Sequence, residues 1–274
     1  MIKAIIIDFD GTTLPRQWHS VSKENREALE KAGKKGIIRI LATGRSFFSF
    51  NHVLPEGLPI DYMVFSSGAG IMQWDNRRIM QSRELTVEET REIASYLWKY
   101  NVNFTIQKRI PNNHFFLYRQ IARQHEDFRR RIENYPGLGT PMPLPEDLNE
   151  GATQFLTILG ADQADLHEKI QQQLSSYSVI RATSPIDNRA IWTEIFAKDV
   201  NKGSSCELLL NQLGISFPEC AGLGNDYNDL DFLERCGISF VVANAPAPLT
   251  KRFEKVPADT DNGLAAFICQ NINL

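Results

Sequence analysis

The stretch Ala4-Ile5-Ile6-Ile7-Asp8-Phe9-Asp10-Gly11-Thr12 decides how this chain is read. Four apolar residues in succession read as a buried strand. The strand ends in two carboxylates separated by one residue, followed by a turn glycine. Side chains at i and i+2 of a strand share a side. Asp8 and Asp10 therefore crowd each other, which raises at least one carboxyl pKa unless a cation intervenes. A hard divalent ion with oxygen ligands answers that problem, and Mg²⁺ suits a site that also takes a phosphate. An isolated Asp-x-Asp at a strand end is more often a pair of surface acids capping a turn. The apolar run before it and Gly11-Thr12 after it favour a ligand site, because open α/β sheets hold ligands at the carboxyl ends of their strands.

Outward from that point the chain alternates. Ser22 to Lys31 reads as a helix with Ser22 as its N-cap. Ile37–Ala42 and Tyr62–Phe65 read as further strands, followed by Thr43-Gly44 and by Ser66-Ser67-Gly68. Strand, helix and strand in this order predict an α/β fold, a Rossmann-like, doubly wound parallel sheet. The middle of the chain differs. Helix Val87–Tyr100, strands Asn103–Gln107 and His114–Tyr118, helix Ile121–Ile132, a Pro/Gly-rich loop from Pro136 to Pro145, strand Gln154–Leu159, helix Asp162–Leu174, and strands Ser178–Ala182 and Ile191–Phe196 predict an α+β domain with an antiparallel sheet. The α/β pattern then resumes with helix Gly203–Leu213, apolar Cys220–Leu223, helix Leu230–Arg235 and strand Ser239–Ala243. The expected organisation is a core of residues 1–83 and 197–274 with residues 84–196 inserted as a cap.

Composition sets limits. The chain has 274 residues, 42% hydrophobic and 23% charged, with a net charge of −3, which suits a globular protein and argues against general nucleic-acid affinity. No apolar stretch reaches bilayer-spanning length, and the first residues do not read as a signal peptide, so the expectation is a cytoplasmic protein that engages no membrane. Cys206, Cys220, Cys236 and Cys269 lack metal-ligand spacing and read as reduced thiols.

Three further segments carry candidate chemistry. Thr43, Gly44 and Arg45 follow a strand, where a hydroxyl and free backbone N–H groups hold anions; taken alone, Thr43 reads more simply as a helix N-cap. Lys202 opens a helix whose dipole prefers an anion there, which points to an anionic ligand shared by the lysine and the helix end, with an ordinary solvated lysine as the equal alternative. Gly224-Asn225-Asp226-Tyr227-Asn228-Asp229 concentrates oxygen donors in a loop after an apolar segment, although Asn and Asp also favour plain turns. Arg119, Arg123, Arg129, Arg130 and Arg131 read as a solvated helix face before they read as an anion-attracting patch. Leu97, Leu166 and Ile170 read as core.

Taken in order, these elements resemble the haloacid dehalogenase superfamily of phosphohydrolases, and the inserted cap resembles its Cof-type branch (class IIB). Ala243-Asn244-Ala245 and Asp261-Asn262-Gly263 are also similar to that branch. The resemblance implies a Mg²⁺-dependent phosphatase of small phosphate monoesters, with sugar phosphates expected because a lid of roughly 110 residues suits a metabolite. It implies Asp8 as the nucleophile and Asp10 as the acid and then the base, with the Asp10 backbone carbonyl facing Mg²⁺. It implies Thr43 and Lys202 on the phosphoryl oxygens, with Gly11, Gly44, Arg45, Ser67 and Asn228 nearby. The loop Gly224–Asp229 would complete a metal site drawn from Asp8, Asp10, Asn225, Asp226 and Asp229. Two departures stand out. The usual loop is Gly-Asp-x-x-Asn-Asp, and here Asn225 takes the place of the first acid; register favours Asn225 as ligand, with Asp226 as an outer charge. Ser67-Gly68-Ala69 stands where the branch has Asn-Gly-Ala. A phosphotransferase or phosphosugar mutase, and a non-catalytic phosphate-ligand sensor, are the competing readings. The expected partner is a small phosphorylated metabolite and the expected state a monomer or weak homo-oligomer. Arg45, Arg109, His114 and Arg189 are candidates for substrate contact.

Overall fold

The computed structural model describes residues 1–16, 18–54, 56–121, 126–184 and 190–271. The chain divides into two compact units, Met1–Ser82 with Asn201–Leu274, and Arg83–Val200.

The first unit is built on an eight-stranded sheet in the order Glu254–Val256, Ile238–Val242, Cys220–Gly224, Ala4–Asp8, Ile38–Ala42, Tyr62–Phe65, Gly70–Gln73, Arg78–Ser82. The strands from Glu254–Val256 to Tyr62–Phe65 pair in parallel. The last two form an antiparallel extension. Ala4–Asp8 sits between Cys220–Gly224 and Ile38–Ala42. Both of its faces are covered, so Ile5, Ile6 and Ile7 are all fully buried. Burial of such side chains stabilises by roughly 1.5–3 kcal/mol each, and this central position explains why the strand is an unbroken apolar run rather than an alternating one.

Helix ends follow from local chemistry. The Ser22 hydroxyl accepts from the Asn25 N–H and starts helix Lys23–Lys34. The Asn201 carboxamide accepts from the Ser204 N–H at 2.6 Å and starts helix Lys202–Leu213, which stops at Gly214 with φ of 66°. Helix Phe47–Val53 is capped by Ser46. Thr43 is thus not its N-cap; its hydroxyl accepts from the Arg45 N–H instead. This helix, the hairpin Gly70–Gln73 with Arg78–Ser82, and the elements Ala247–Arg252, Glu254–Val256 and Gly263–Asn271 are absent from the sequence reading. They are short or lie near the chain end, where periodicity has few turns to act on.

The second unit holds a six-stranded sheet in the order Ser178–Thr183, Ile191–Phe196, Gln154–Leu159, Phe104–Gln107, Phe116–Arg119, Gly139–Pro141. The pairs are antiparallel except the last, which is parallel. Two expectations need correcting. The segment from Pro136 to Pro145 is not all loop, because Gly139–Pro141 pairs with Phe116–Tyr118; Gly139 has no side chain, and a Cβ there would lie 2.5 Å from the Phe116 ring. The described helix in the expected Ile121–Ile132 segment runs Glu126–Glu133. Alternation along the strands separates two faces. Phe104, Phe155 and Ile195 pack with Ile93, Leu97 and Ile170 of helices Val87–Lys99 and Ala164–Gln173. Leu156 and Ile158 pack with Phe128 of helix Glu126–Glu133.

Candidate active site

The carboxyl end of the central strand gathers the groups that the sequence scatters over more than two hundred positions. Asp8 is buried at the strand end, and its carboxylate accepts from the Lys202 ammonium at 2.7 Å. The same ammonium donates to Asp229 at 2.7 Å. Lys202 and Asp229 are also buried, so this is a carboxylate–ammonium–carboxylate triad out of water. A buried charge is tolerable only when paired. Burial would push the Lys202 ammonium down, but Asp229 and Asp8 outweigh it and hold the group above its ordinary value. Burial, reinforced by the Asp229 charge, raises the Asp8 carboxyl to about 7 against the pull of Lys202.

Asp229 does two jobs. One oxygen meets Lys202, and the other accepts from the backbone N–H groups of Asn225 and Asp226 at 2.8 and 3.0 Å. It therefore fixes the loop that carries Asn225. The Asn225 side chain reaches back to the first motif, its Nδ2 donating to the Asp10 carbonyl at 3.1 Å. Gly11 makes room for this contact: its φ is 78°, and a Cβ on it would lie 2.4 Å from Asn225 Nδ2. A glycine is demanded here both by the left-handed backbone and by the approach of the amide.

Asp10 lies at the edge of the site, about a quarter exposed, and its carboxylate is clamped by Arg45. Nε of Arg45 donates to both oxygens at 2.9 and 2.8 Å, and Nη2 to one of them at 2.6 Å. The guanidinium also donates to Ser49 and lies over the Phe9 ring. Arg45 is thus held on Asp10. Thr43 is fully buried, and its carbonyl accepts from the Ser67 N–H. Gly44 brings the backbone against Ser67, since a Cβ would lie 3.4 Å from the Ser67 hydroxyl. Ser66, Ser67 and Gly68 all have positive φ, at 50°, 52° and 106°. Two successive non-glycine residues in that region store strain, which is common where a backbone must be aimed. Asn228 is partly buried in the same loop as Asp229.

Asp226 is turned elsewhere. Its carboxylate accepts from the Tyr227 N–H at 2.8 Å and lies 3.9 Å from Arg16. Of the substrate-contact candidates in the second unit, Arg109 donates to Glu84 at 2.6 Å and is largely exposed, and His114 is half-buried. Arg189 and Arg123 lie outside the described residues. Arg129 and Arg130 pair with Glu126, and Arg129 also with Glu133, as a solvated face does, whereas Arg119 ends strand Phe116–Arg119 and donates to the Trp98 carbonyl, and Arg131 lies over the Trp192 ring, so those two are not part of that face.

Several contributors are missing from the sequence reading. Thr13 donates its hydroxyl to the Asp8 carbonyl at 2.6 Å. Ser205, three residues after Lys202, donates to the Gly68 carbonyl at 2.6 Å and ties the lysine's helix to the strained turn. The i, i+3 spacing from Lys202 was its available signal. Arg16 carried none, being one arginine in a loop.

Among the described residues no three His, Cys, Asp or Glu side chains form a metal cluster. The remaining oxygens are those of a hard-ion site of low charge: the Asp8 carboxylate at the strand end, and the Asp10 carbonyl with the Asn225 carboxamide, whose nitrogen lies 3.1 Å from that carbonyl. The buried Thr12 hydroxyl in the same turn has no partner. Oxygen donors of this kind suit Mg²⁺ beside a phosphate.

A family model for haloacid dehalogenase-like hydrolases matches residues 5–268. The chain is 25% identical to the 5-amino-6-(5-phospho-D-ribitylamino)uracil phosphatase YwtE of Bacillus subtilis, over 98% of each chain. It is 26% identical to the putative phosphatase YxeH of the same organism, over 97% of this chain and 96% of that one. A solved structure, that of the HAD subclass IIB sugar phosphatase BT4131, superposes with a TM-score of 0.78 over 99% of this chain and 100% of that one, at 17% identity. The fold, the ordered motifs and the match along nearly the whole sequence give one conclusion: the chain belongs to the haloacid dehalogenase-like hydrolase family.

Proposed function

We propose that this phosphoric monoester hydrolase acts on small phosphorylated metabolites, sugar phosphates foremost, through a phosphoenzyme on Asp8 and with Mg²⁺ as cofactor. The observation that carries the reading is the buried triad of Asp8, Lys202 and Asp229 at the strand end, with Asp10 two residues beyond the nucleophile. A carboxylate desolvated by burial yet held in place by an ammonium is an oriented nucleophile.

In the first half-reaction an Asp8 oxygen forms a bond to phosphorus as the bond from phosphorus to the ester oxygen breaks. Asp10 gives its proton to the departing alkoxide, which leaves as the alcohol. In the second half, Asp10 takes a proton from water, the water oxygen bonds to phosphorus, and the Asp8–phosphorus bond breaks to release inorganic phosphate. Lys202 and the Thr43 hydroxyl stabilise the charge on the equatorial phosphoryl oxygens. Asp8, the Asp10 carbonyl and Asn225 would hold Mg²⁺, which supplies further neutralisation of phosphoryl charge. Asp229 acts by holding Lys202 and the Asn225 loop in place. The proposal for sugar phosphates is supported by the likeness in fold to a sugar phosphatase and by the relative named for a phosphoribityl substrate.

The test is phosphate release from a panel of sugar phosphates and other phosphate monoesters with Mg²⁺, for wild type and Asp8→Asn. The expected result is turnover of at least one small monoester by wild type and its loss in Asp8→Asn. Full turnover by the variant would refute Asp8 as nucleophile. Isomerisation of a sugar phosphate without phosphate release would replace the hydrolase by a phosphosugar mutase.

A further inference from the structure

Resting on the Mg²⁺ reading above, we infer that this chain carries a divalent-cation site with one carboxylate ligand, so that the cation binds weakly alone and tightly only together with the phosphoryl group. Three observations lead there. First, position 225 supplies a neutral carboxamide, and that carboxamide is already engaged: Nδ2 donates to the Asp10 carbonyl at 3.1 Å. A cation on the Asp10 carbonyl must displace this hydrogen bond, and Asn225 must turn its oxygen inward. Second, the nearby acids do not make up the missing charge. Both oxygens of Asp229 are occupied by Lys202 and by the N–H groups of residues 225 and 226. Asp226 holds the Tyr227 N–H, and the Arg16 guanidinium stands 3.9 Å from its other oxygen. Third, Asp8 shares its charge with Lys202. The cation therefore meets one carboxylate, itself half-neutralised, together with neutral oxygens.

Affinity of hard cations is set in large part by how many charged ligands the site supplies. With so little negative charge from the protein, the phosphoryl oxygens become the dominant anionic ligands. Cation and phosphate then raise each other's affinity by the same factor, since coupling between two ligands is reciprocal. The Asp10 carboxylate charge is offset by the Arg45 guanidinium that clamps it. The consequence is an ordered device: without a phosphorylated ligand the site gives up its metal, and the nucleophile and the cation are assembled by the substrate itself.

The experiment measures Mn²⁺ binding directly, by electron paramagnetic resonance of free Mn²⁺ and by calorimetry, on wild type and Asn225→Asp, each with and without inorganic phosphate. No turnover is involved. Wild type is expected to bind Mn²⁺ at least about tenfold more tightly with phosphate present, and Asn225→Asp to bind Mn²⁺ alone at least about tenfold more tightly than wild type, with a smaller phosphate effect. The wild-type phosphate effect needs no variant, so it stands as a test even if Asn225→Asp folds poorly. Equal affinity of the two proteins for Mn²⁺ alone, or no phosphate effect in wild type, would overturn the inference while leaving the metal-dependent phosphatase intact. Absence of Mn²⁺ binding by both proteins even with phosphate would remove the metal reading itself, and this inference with it.

Discussion

Replacing Lys202 by Met keeps the volume of the side chain and removes its charge. In the native site the ammonium stands 2.7 Å from both Asp8 and Asp229, and all three groups are buried. The variant leaves two carboxylates facing each other out of water. Removing one partner of a buried ion pair costs about 3–5 kcal/mol, which for a domain of this size lowers the melting temperature by roughly 6–20 °C. The cost depends on pH in a definite direction. Asp8 in the folded protein is raised to about 7, above an unfolded value of about 3.9. A raised carboxyl gives its full stability below the unfolded value and loses it as pH climbs through the folded one. Without Lys202 the opposing pull is gone, so Asp8 rises further and the loss extends to higher pH. The gap in melting temperature between wild type and Lys202→Met, measured in EDTA, should therefore be smallest at pH 5 and largest at pH 8. Adding Asp8→Asn to Lys202→Met removes one of the two uncompensated carboxylates and should restore part of the loss at pH 8. A gap that is the same at both pH values, or one smaller than about 2 °C throughout, would refute the account of the triad as a charge-balanced unit.

Two other outcomes follow from the geometry. Arg45→Gln removes the guanidinium that fixes both oxygens of Asp10; with Asp10 in the proposed acid–base role, its misplacement should cost on the order of 10²-fold in kcat, and because the pair is partly exposed, thermal stability should change by less than about 1 kcal/mol. Steady-state kinetics with partial rescue by added guanidinium checks this, and a kcat within twofold of wild type contradicts it. In the second unit, buried His167 is held below its ordinary value by burial and by the Arg181 charge, and its Nδ1 meets the Thr193 hydroxyl at 2.8 Å. A depressed histidine contributes stability above its unfolded pKa of about 6.5 and loses it as pH falls below that. The melting temperature should thus fall less between pH 7 and pH 5 in His167→Gln than in wild type, and an unchanged slope would contradict the assignment.

Much of the fold was legible because its signals are local. Ala4–Asp8 is an apolar run ending in two acids, Ser22 is a cap, and helix Lys202–Leu213 starts at an Asn and ends at a Gly. Gly139–Pro141 was not legible, because a three-residue strand in a Pro/Gly-rich segment has no pattern of its own and forms only where a partner strand lies beside it. The cap of Phe47–Val53 went to Ser46 rather than Thr43 for a similar reason: two hydroxyls compete, and the path of the chain after the strand decides between them.

The sequence by itself determined which groups this protein brings to its site and the order in which they come. Asp8, Asp10, Thr43, Lys202 and the Asn225–Asp229 loop follow apolar segments or open a helix, and strand ends and helix starts are local facts. What only the tertiary structure decided is who holds whom. Lys202 lies between Asp8 and Asp229, Arg45 lies on Asp10, Asn225 Nδ2 rests on the Asp10 carbonyl, and Asp226 turns toward Tyr227 and Arg16. Those pairings join residues far apart in the chain. They are set by the parallel alignment of Ala4–Asp8 between Ile38–Ala42 and Cys220–Gly224, and by which charges must be matched once the strand ends are withdrawn from water.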